Sequence, residues 1–137
     1  MTDLLQSWLD RYLVAWKTND PDDIGALFTD DATYAGDPFD PEPWTGREGI
    51  VAGWLAHKDD PGTWTFEGAP LVYADGVGII QGRTDYDGGK TYANLWVLHL
   101  GEDGRASSFV EWYMRPHRPA PGPATGAPAS DPPHPAG

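Results

Sequence analysis

The chain has no cysteine and little positive charge: its 137 residues hold 9 lysines and arginines against 21 aspartates and glutamates. Without cysteine there is no disulfide framework, no zinc ribbon and no thiol nucleophile. A formal charge of −12 argues against nucleic acid, whose phosphates require clustered Lys and Arg. No run of about 18 apolar residues is present to span a bilayer. Nor does the N-terminus show a basic segment followed by an apolar stretch. These absences predict a soluble, cytoplasmic protein with neither nucleic-acid nor membrane partner. The four histidines show no His-x-His or His-x₃-His spacing, so no metal and no other cofactor is expected.

What is present is unevenly distributed. Eight of the 14 prolines fall between Pro116 and Pro135, in a 22-residue tail with five alanines, three glycines and no apolar side chain larger than proline. Such a segment cannot offset its own ordering entropy, and it is expected to be disordered. Arg118 and Asp131 cancel, so the whole negative charge belongs to residues 1–115. Those residues also carry all seven tryptophans, all six tyrosines and all four phenylalanines, enough for one core with aromatics left to line a cavity. The organisation is therefore one domain, 1–115, followed by a tail, 116–137.

Within the domain the apolar period is first 3.6 and then 2. Leu5, Trp8, Leu9, Tyr12 and Trp16 form one stripe of a helix over 2–18. Asp20, Pro21, Asp22 and Asp23 open a second, short helix with buried Ile24, Leu27 and Phe28. Asp30–Tyr34 reads as a short extended piece, and 36–44 as a proline-rich loop. Thr45, Gly46, Arg47 and Glu48 have the capping-box pattern of a third helix, which buries Ile50, Val51, Trp54 and Leu55 and which His57 closes. From Thr63 onward four strands are expected at about 63–73, 77–87, 90–100 and 105–115. Turns at Ala74-Asp75-Gly76, Asp87-Gly88-Gly89 and Glu102-Asp103-Gly104 join them. Helices followed by a meander predict an α+β domain, with a curved antiparallel sheet over three N-terminal helices.

The face of each strand follows from hairpin register. If Asp87 pairs with Lys90 across a two-residue turn, then Asp85 faces Tyr92, Arg83 faces Asn94 and Gln81 faces Trp96, all on one face. A slip of one residue reverses that assignment. On the last strand either Phe109, Glu111 and Tyr113, or Val110, Trp112 and Met114, point inward. A buried Glu111 needs a partner, and Arg83 is the best one available. Trp44, Trp96 and Tyr34 are the aromatics best placed to line a cavity.

Several local sequences resemble known families. Arg11-Tyr12, Asp20, the stretch Ala26 to Thr33, Asp37-Pro38, Glu42-Pro43 and Gly46 resemble the front half of ketosteroid isomerases. Arg83-Thr84-Asp85, Gly104-Arg105 and Glu111-Trp112-Tyr113 resemble SnoaL-like polyketide cyclases and limonene epoxide hydrolases. All belong to the nuclear transport factor 2-like superfamily, which implies a cone-shaped α+β fold over about residues 3–115. The isomerase resemblance implies Tyr12 as an oxyanion donor and Asp37 as a general base. The second acid of that oxyanion hole has no counterpart, its position being held by Trp96. The hydrolase resemblance implies Arg83, Asp85 and Glu111 around a water, with Asn94 helping to hold it.

The resulting expectation is a cofactor-independent enzyme of isomerase, cyclase, dehydratase or epoxide-hydrolase type, acting by acid–base chemistry on a small apolar oxygenated molecule. Its catalytic candidates are Tyr12, Asp37, Arg83, Asp85 and Glu111. Its substrate-binding candidates are Tyr34, Trp44, Trp54, Tyr92, Asn94, Trp96, Phe109 and Tyr113. The alternative is a non-catalytic small-molecule-binding or dimerisation domain of the same fold. The outer sheet face, with Leu95, Val97, Val110 and Trp112, would be bare in a monomer and predicts a homodimer.

Overall fold

The computed structural model describes residues 3–115; the proline-rich tail, 116–137, expected to be disordered, lies outside them. The elements follow the change of period along the chain. α1 (Asp3–Thr18) buries Leu5, Trp8, Leu9, Tyr12, Ala15 and Trp16, the stripe that its sequence predicts. α2 (Pro21–Gly25) starts at Asp20, whose carboxylate accepts from the backbone N–H of Asp22 at 2.7 Å and of Asp23 at 3.4 Å. After β1 (Phe28–Ala35) and the two-residue β2 (Trp44–Thr45) comes α3 (Gly46–Ala56). Thr45 stands at the N-cap of α3, but its side chain makes no capping bond. Its hydroxyl donates instead to the carbonyl of Pro43 at 3.2 Å, so the capping box does not form.

β3 (Trp64–Ala74), β4 (Val77–Tyr86), β5 (Thr91–Leu100) and β6 (Ala106–Met114) make the expected antiparallel meander. The sheet as a whole departs from expectation. Its order is β2-β1-β6-β5-β4-β3, and β1 runs parallel to β6, so the curved, unclosed sheet is mixed rather than antiparallel. The piece read as a short extended link is thus a full strand. Its seam with β6 is fixed at the carbonyl of Leu27, which accepts from the Trp8 indole at 3.0 Å and from the Ala106 backbone at 2.8 Å.

The β4–β5 register differs from expectation by one residue. Tyr86 N–H bonds the carbonyl of Lys90, so Asp87, Gly88 and Gly89 form a three-residue connection, with φ of +93° at Gly88 and +94° at Gly89. Thr84 consequently pairs with Tyr92, Gly82 with Asn94 and Ile80 with Trp96. The inward set on these strands is therefore Ile80, Thr84, Tyr92, Asn94, Trp96 and Leu98, all buried. Arg83 and Asp85 go to the opposite face, a parity consequence of one extra turn residue. On β6 the inward set is Phe109, Glu111 and Tyr113, leaving Trp112 and Met114 exposed.

The helices cover the inward face and enclose an aromatic core. α1 approaches β4 closely at Gly78, where a Cβ would lie 2.7 Å from the Leu5 side chain. Trp8, Trp16, Trp54, Trp96, Tyr12 and Phe109 are among the largest fully buried side chains. Among the described residues no helix is long and apolar enough to cross a membrane.

Candidate functional site

The inward faces of β4, β5 and β6 place a chain of polar groups inside this aromatic core. Glu111 lies directly across from Trp96 on the neighbouring strand. Its Oε2 accepts from the Asn94 side-chain amide at 2.6 Å and from the Trp96 indole at 3.2 Å. Asn94 Oδ1 in turn accepts from the Thr84 hydroxyl at 2.7 Å, so the chain crosses three strands. Glu111, Asn94 and Thr84 are all buried. Burial pushes the Glu111 carboxyl up to about 8, against the opposing pull of the two donors. At neutral pH it therefore holds its proton and can itself donate.

Beside Glu111 sits a phenol pair. Tyr12 from α1 and Tyr34 from β1 share a hydrogen bond of 2.9 Å between their hydroxyls. Burial is the main cause that raises both phenols well above their ordinary value. For Tyr12 the charges of Tyr34 and then Glu111 add to it; for Tyr34 that of Glu111 does. The Tyr12 ring lies 4.7 Å from Trp96 and 5.7 Å from Phe109, and Tyr34 stacks on Phe109 at 4.4 Å. Trp44 stacks on the outer side of Tyr34 at 4.9 Å and occupies the notch above Gly53. Tyr92 meets Tyr86 and Tyr113 edge to face at 5.9 and 5.6 Å. Trp54 is buried, its indole donating to Asn19 Oδ1 at 3.0 Å.

The structure thus brings Tyr12, Tyr34, Asn94, Trp96, Phe109 and Glu111 together, with Trp44, Trp54, Tyr92 and Tyr113 around them. It separates the remaining candidates from them. Arg83 and Asp85 share an ion pair of 3.1 Å on the outer face, with side-chain exposures of 64 and 37%. Asp85 also accepts from Thr91 at 2.8 Å; that bond, then Arg83, holds its carboxyl below the usual range. The partner expected for Glu111, Arg83, is replaced by Asn94 and Trp96. Asp37 lies exposed on the 36–43 loop, where its Oδ1 accepts from the backbone of Phe39 at 2.8 Å.

One polar residue of the core rim escaped the sequence reading. Asp59, in the α3–β3 connection, accepts at Oδ2 from the Trp16 indole at 3.0 Å and from the Tyr86 hydroxyl at 3.2 Å. Its backbone carbonyl takes the Asn19 side-chain amide at 3.0 Å. Burial raises its pKa. In sequence it belongs to Asp59-Asp60-Pro61-Gly62, which reads only as a helix stop; no local signal marks its contact with Trp16, 43 residues away.

An open groove of about 640 Å³ lies elsewhere, between α1, α2, α3 and the β5–β6 turn, and borders none of the candidate residues. Three arginines line it. Arg11 is bonded to the carbonyl of Gly104, Arg47 to that of Phe28 together with the Asp30 carboxylate, and Arg105 to Asp103.

The fold has close counterparts among solved structures. An NTF-2 like protein of unknown function from Burkholderia xenovorans LB400 superposes with a TM-score of 0.69 at 20% identity, over 88% of this chain and 89% of that one. A Kribbella flavida DSM 17836 protein, assigned provisionally as a ketosteroid isomerase, superposes with a TM-score of 0.67 at 17% identity, over 93% and 92%. At these identities the likeness establishes the fold. No curated protein matches the chain in sequence. The sequence model of the SnoaL-like domain matches residues 9–109, from the middle of α1 to the inward Phe109 of β6, and the chain belongs to that family.

Proposed function

We propose that the protein is a cofactor-independent enzyme acting by acid–base chemistry on a small apolar oxygenated molecule, with Glu111 as its proton-bearing group. The observation that carries this reading is the buried Glu111 carboxyl, held by Asn94 and Trp96 beside the Tyr12–Tyr34 pair. A leucine or glutamine at this core position would avoid the cost of burying an acid, and an acid kept there despite the cost suits a chemical role. A protonated carboxyl can donate a short hydrogen bond to a carbonyl or epoxide oxygen as negative charge develops on it. The phenol pair supplies a second O–H to the same oxygen. Trp96 occupies the place of the second acid in ketosteroid isomerases, and Glu111, across the strand pair, provides an acid one strand over. Asp37, exposed on the 36–43 loop, stands apart from Glu111 and has no part in this reading.

Incubation with a panel of ketones, epoxides and phenols tests the reading. Turnover by the wild type, reduced at least about 100-fold in Glu111→Gln and about tenfold in Tyr12→Phe, is the expected result. Absence of turnover across the panel, or full activity in Glu111→Gln, overturns it.

A second reading, a ligand-binding or dimerisation domain without catalysis, is favoured by a different observation. The outer sheet face is apolar around Leu95, Val97 and Val110, and Trp112 on it is 47% exposed. A second copy of the chain packed sheet to sheet would cover that face, and both readings accommodate the resulting homodimer.

A further inference from the structure

At the rim of the aromatic interior one donor and one acceptor stand without hydrogen-bond partners among the described residues, on two side chains that both contact Trp16. Trp64 opens β3 and lies flat on Trp16, the ring centroids 3.7 Å apart and the planes 15° from parallel. Its side chain is only 8% exposed, and its Nε1 is buried with no hydrogen-bond partner among the described residues. A buried donor left in this state loses its water without a replacement acceptor. The indole beneath it is differently placed: Trp16 Nε1 is committed to Asp59 Oδ2. Asp59 is the complementary case. Oδ2 accepts from both Trp16 and Tyr86, whereas Oδ1 makes no hydrogen bond among the described residues, and the carboxyl is only half-buried. Asn19 fixes the loop from below by bonding the Asp59 carbonyl, and Thr63 fixes its far end through two bonds to the Asp60 carbonyl. The carboxylate is held rigid while one of its oxygens stays open.

We infer that Trp64 N–H and Asp59 Oδ1 form a rim subsite for the polar end of a ligand, the indole donating to an oxygen and the carboxylate accepting from a neighbouring N–H or O–H. A free anion would be repelled by Asp59, and a simple ammonium would leave the Trp64 N–H without an acceptor. The pair therefore selects a neutral molecule that presents acceptor and donor side by side, a cyclic amide or a hydroxy ketone, on a planar apolar body. The partly exposed phenol of Tyr86 offers that body aromatic contact. This deepens the reading of the interior as a site for an apolar oxygenated molecule and rests on it.

The test is calorimetric titration of the full chain with three matched bicyclic probes. They are 2-quinolone, which has both groups, 1-methyl-2-quinolone, which keeps only the acceptor, and naphthalene, which has neither. Wild type should bind 2-quinolone about tenfold more tightly than its N-methyl analogue. Asp59→Asn should remove that preference. Trp64→Phe, which keeps an aromatic ring on Trp16 but removes the N–H along with the rest of the indole, should weaken both quinolones about tenfold and affect naphthalene far less. Near-ultraviolet circular dichroism of each variant checks that the fold is retained; Asp59→Glu and Trp64→Tyr serve if either first choice unfolds. Equal binding of the two quinolones by wild type, or unchanged affinities in both variants, overturns the subsite while leaving the proposed role of Glu111 intact. No binding of any probe overturns the subsite and the reading of the interior together. The expected pattern without any turnover of the ketone and epoxide panel upholds the subsite and removes only the enzyme.

Discussion

Glu111 couples the core of this protein to pH, and the sign of the coupling can be worked out. Its folded-state value of about 8 lies above the ordinary 4.5 of an unfolded glutamate. Below 4.5 both states hold the proton, so ionisation has no effect on stability. Between 4.5 and 8 the unfolded chain releases the proton while the folded chain keeps it, and stability falls as pH rises. Above 8 both states are ionised and the loss is complete. Asp59 contributes in the same direction, but equally to wild type and to Glu111→Gln. Urea unfolding at several pH values between 5 and 8 should therefore show wild type losing stability relative to Glu111→Gln. The steepest slope should be on the order of 1.4 kcal/mol per pH unit. Parallel curves would mean that Glu111 titrates normally and is not the proton-bearing group. The sequence identified Glu111 as the residue whose burial mattered but named Arg83 as its partner. That error is physical: an ion pair is the obvious partner for a buried acid, whereas a proton retained on the carboxyl makes neutral Asn94 and Trp96 sufficient. Asp59 was illegible for another reason, since its role comes from Trp16 and Tyr86, both distant in sequence.

The elements were legible wherever their cause is local. The α1 stripe and the Asp20 cap are written in consecutive residues, and both appear as read. The β4–β5 register was not, because it turns on whether the connection after Tyr86 has two residues or three. Two glycines at positive φ suit either length, and parity then decides which face receives Arg83 and Asp85. The β3–β4 hairpin has a packing requirement that no propensity announces. Gly68 and Gly82 pair across it, and the Phe66 ring lies over both while stacking on Trp96 at 4.8 Å. A Cβ at Gly82 would come within 2.3 Å of the Phe66 ring and 2.9 Å of the Glu67 carbonyl. Gly82→Ala should destabilise the protein by about 1–3 kcal/mol and shift the tryptophan emission as Phe66 is displaced from Trp96. Thermal melting with fluorescence detection reads both, and an unchanged midpoint would show that the ring moves aside freely.

At the scale of the whole molecule the outer face of the sheet is the feature that asks for a partner. Register places Leu95 beside Trp112 and Val97 beside Val110, so the apolar residues of β5 and β6 form one continuous patch. Light scattering at micromolar concentration should give twice the mass of one chain, and Trp112→Asp combined with Leu95→Asp should give the single mass with the fold retained. A monomeric wild type removes the homodimer. The family was readable from the resemblance of local stretches such as Arg11-Tyr12 and Glu111-Trp112-Tyr113, but the mixed character of the sheet was not, since β1 finds its neighbour β6 through contacts that no local pattern encodes.

That long-range seam has a consequence for how the chain acquires its structure. Phe28 pairs with Ala106 and Ala35 with Val110, partners roughly 75 residues apart. A nascent chain holding the helices and β1 to β5 still lacks the strand that must lie between β1 and β5. Until β6 emerges, Trp96 and the inward ring of Tyr34 face an open gap, where the backbone edges of β1 and β5 are free to pair with other chains. Loop closure over that distance slows folding relative to a helical bundle of equal size. The step that buries Glu111 is therefore also the last to become possible during synthesis.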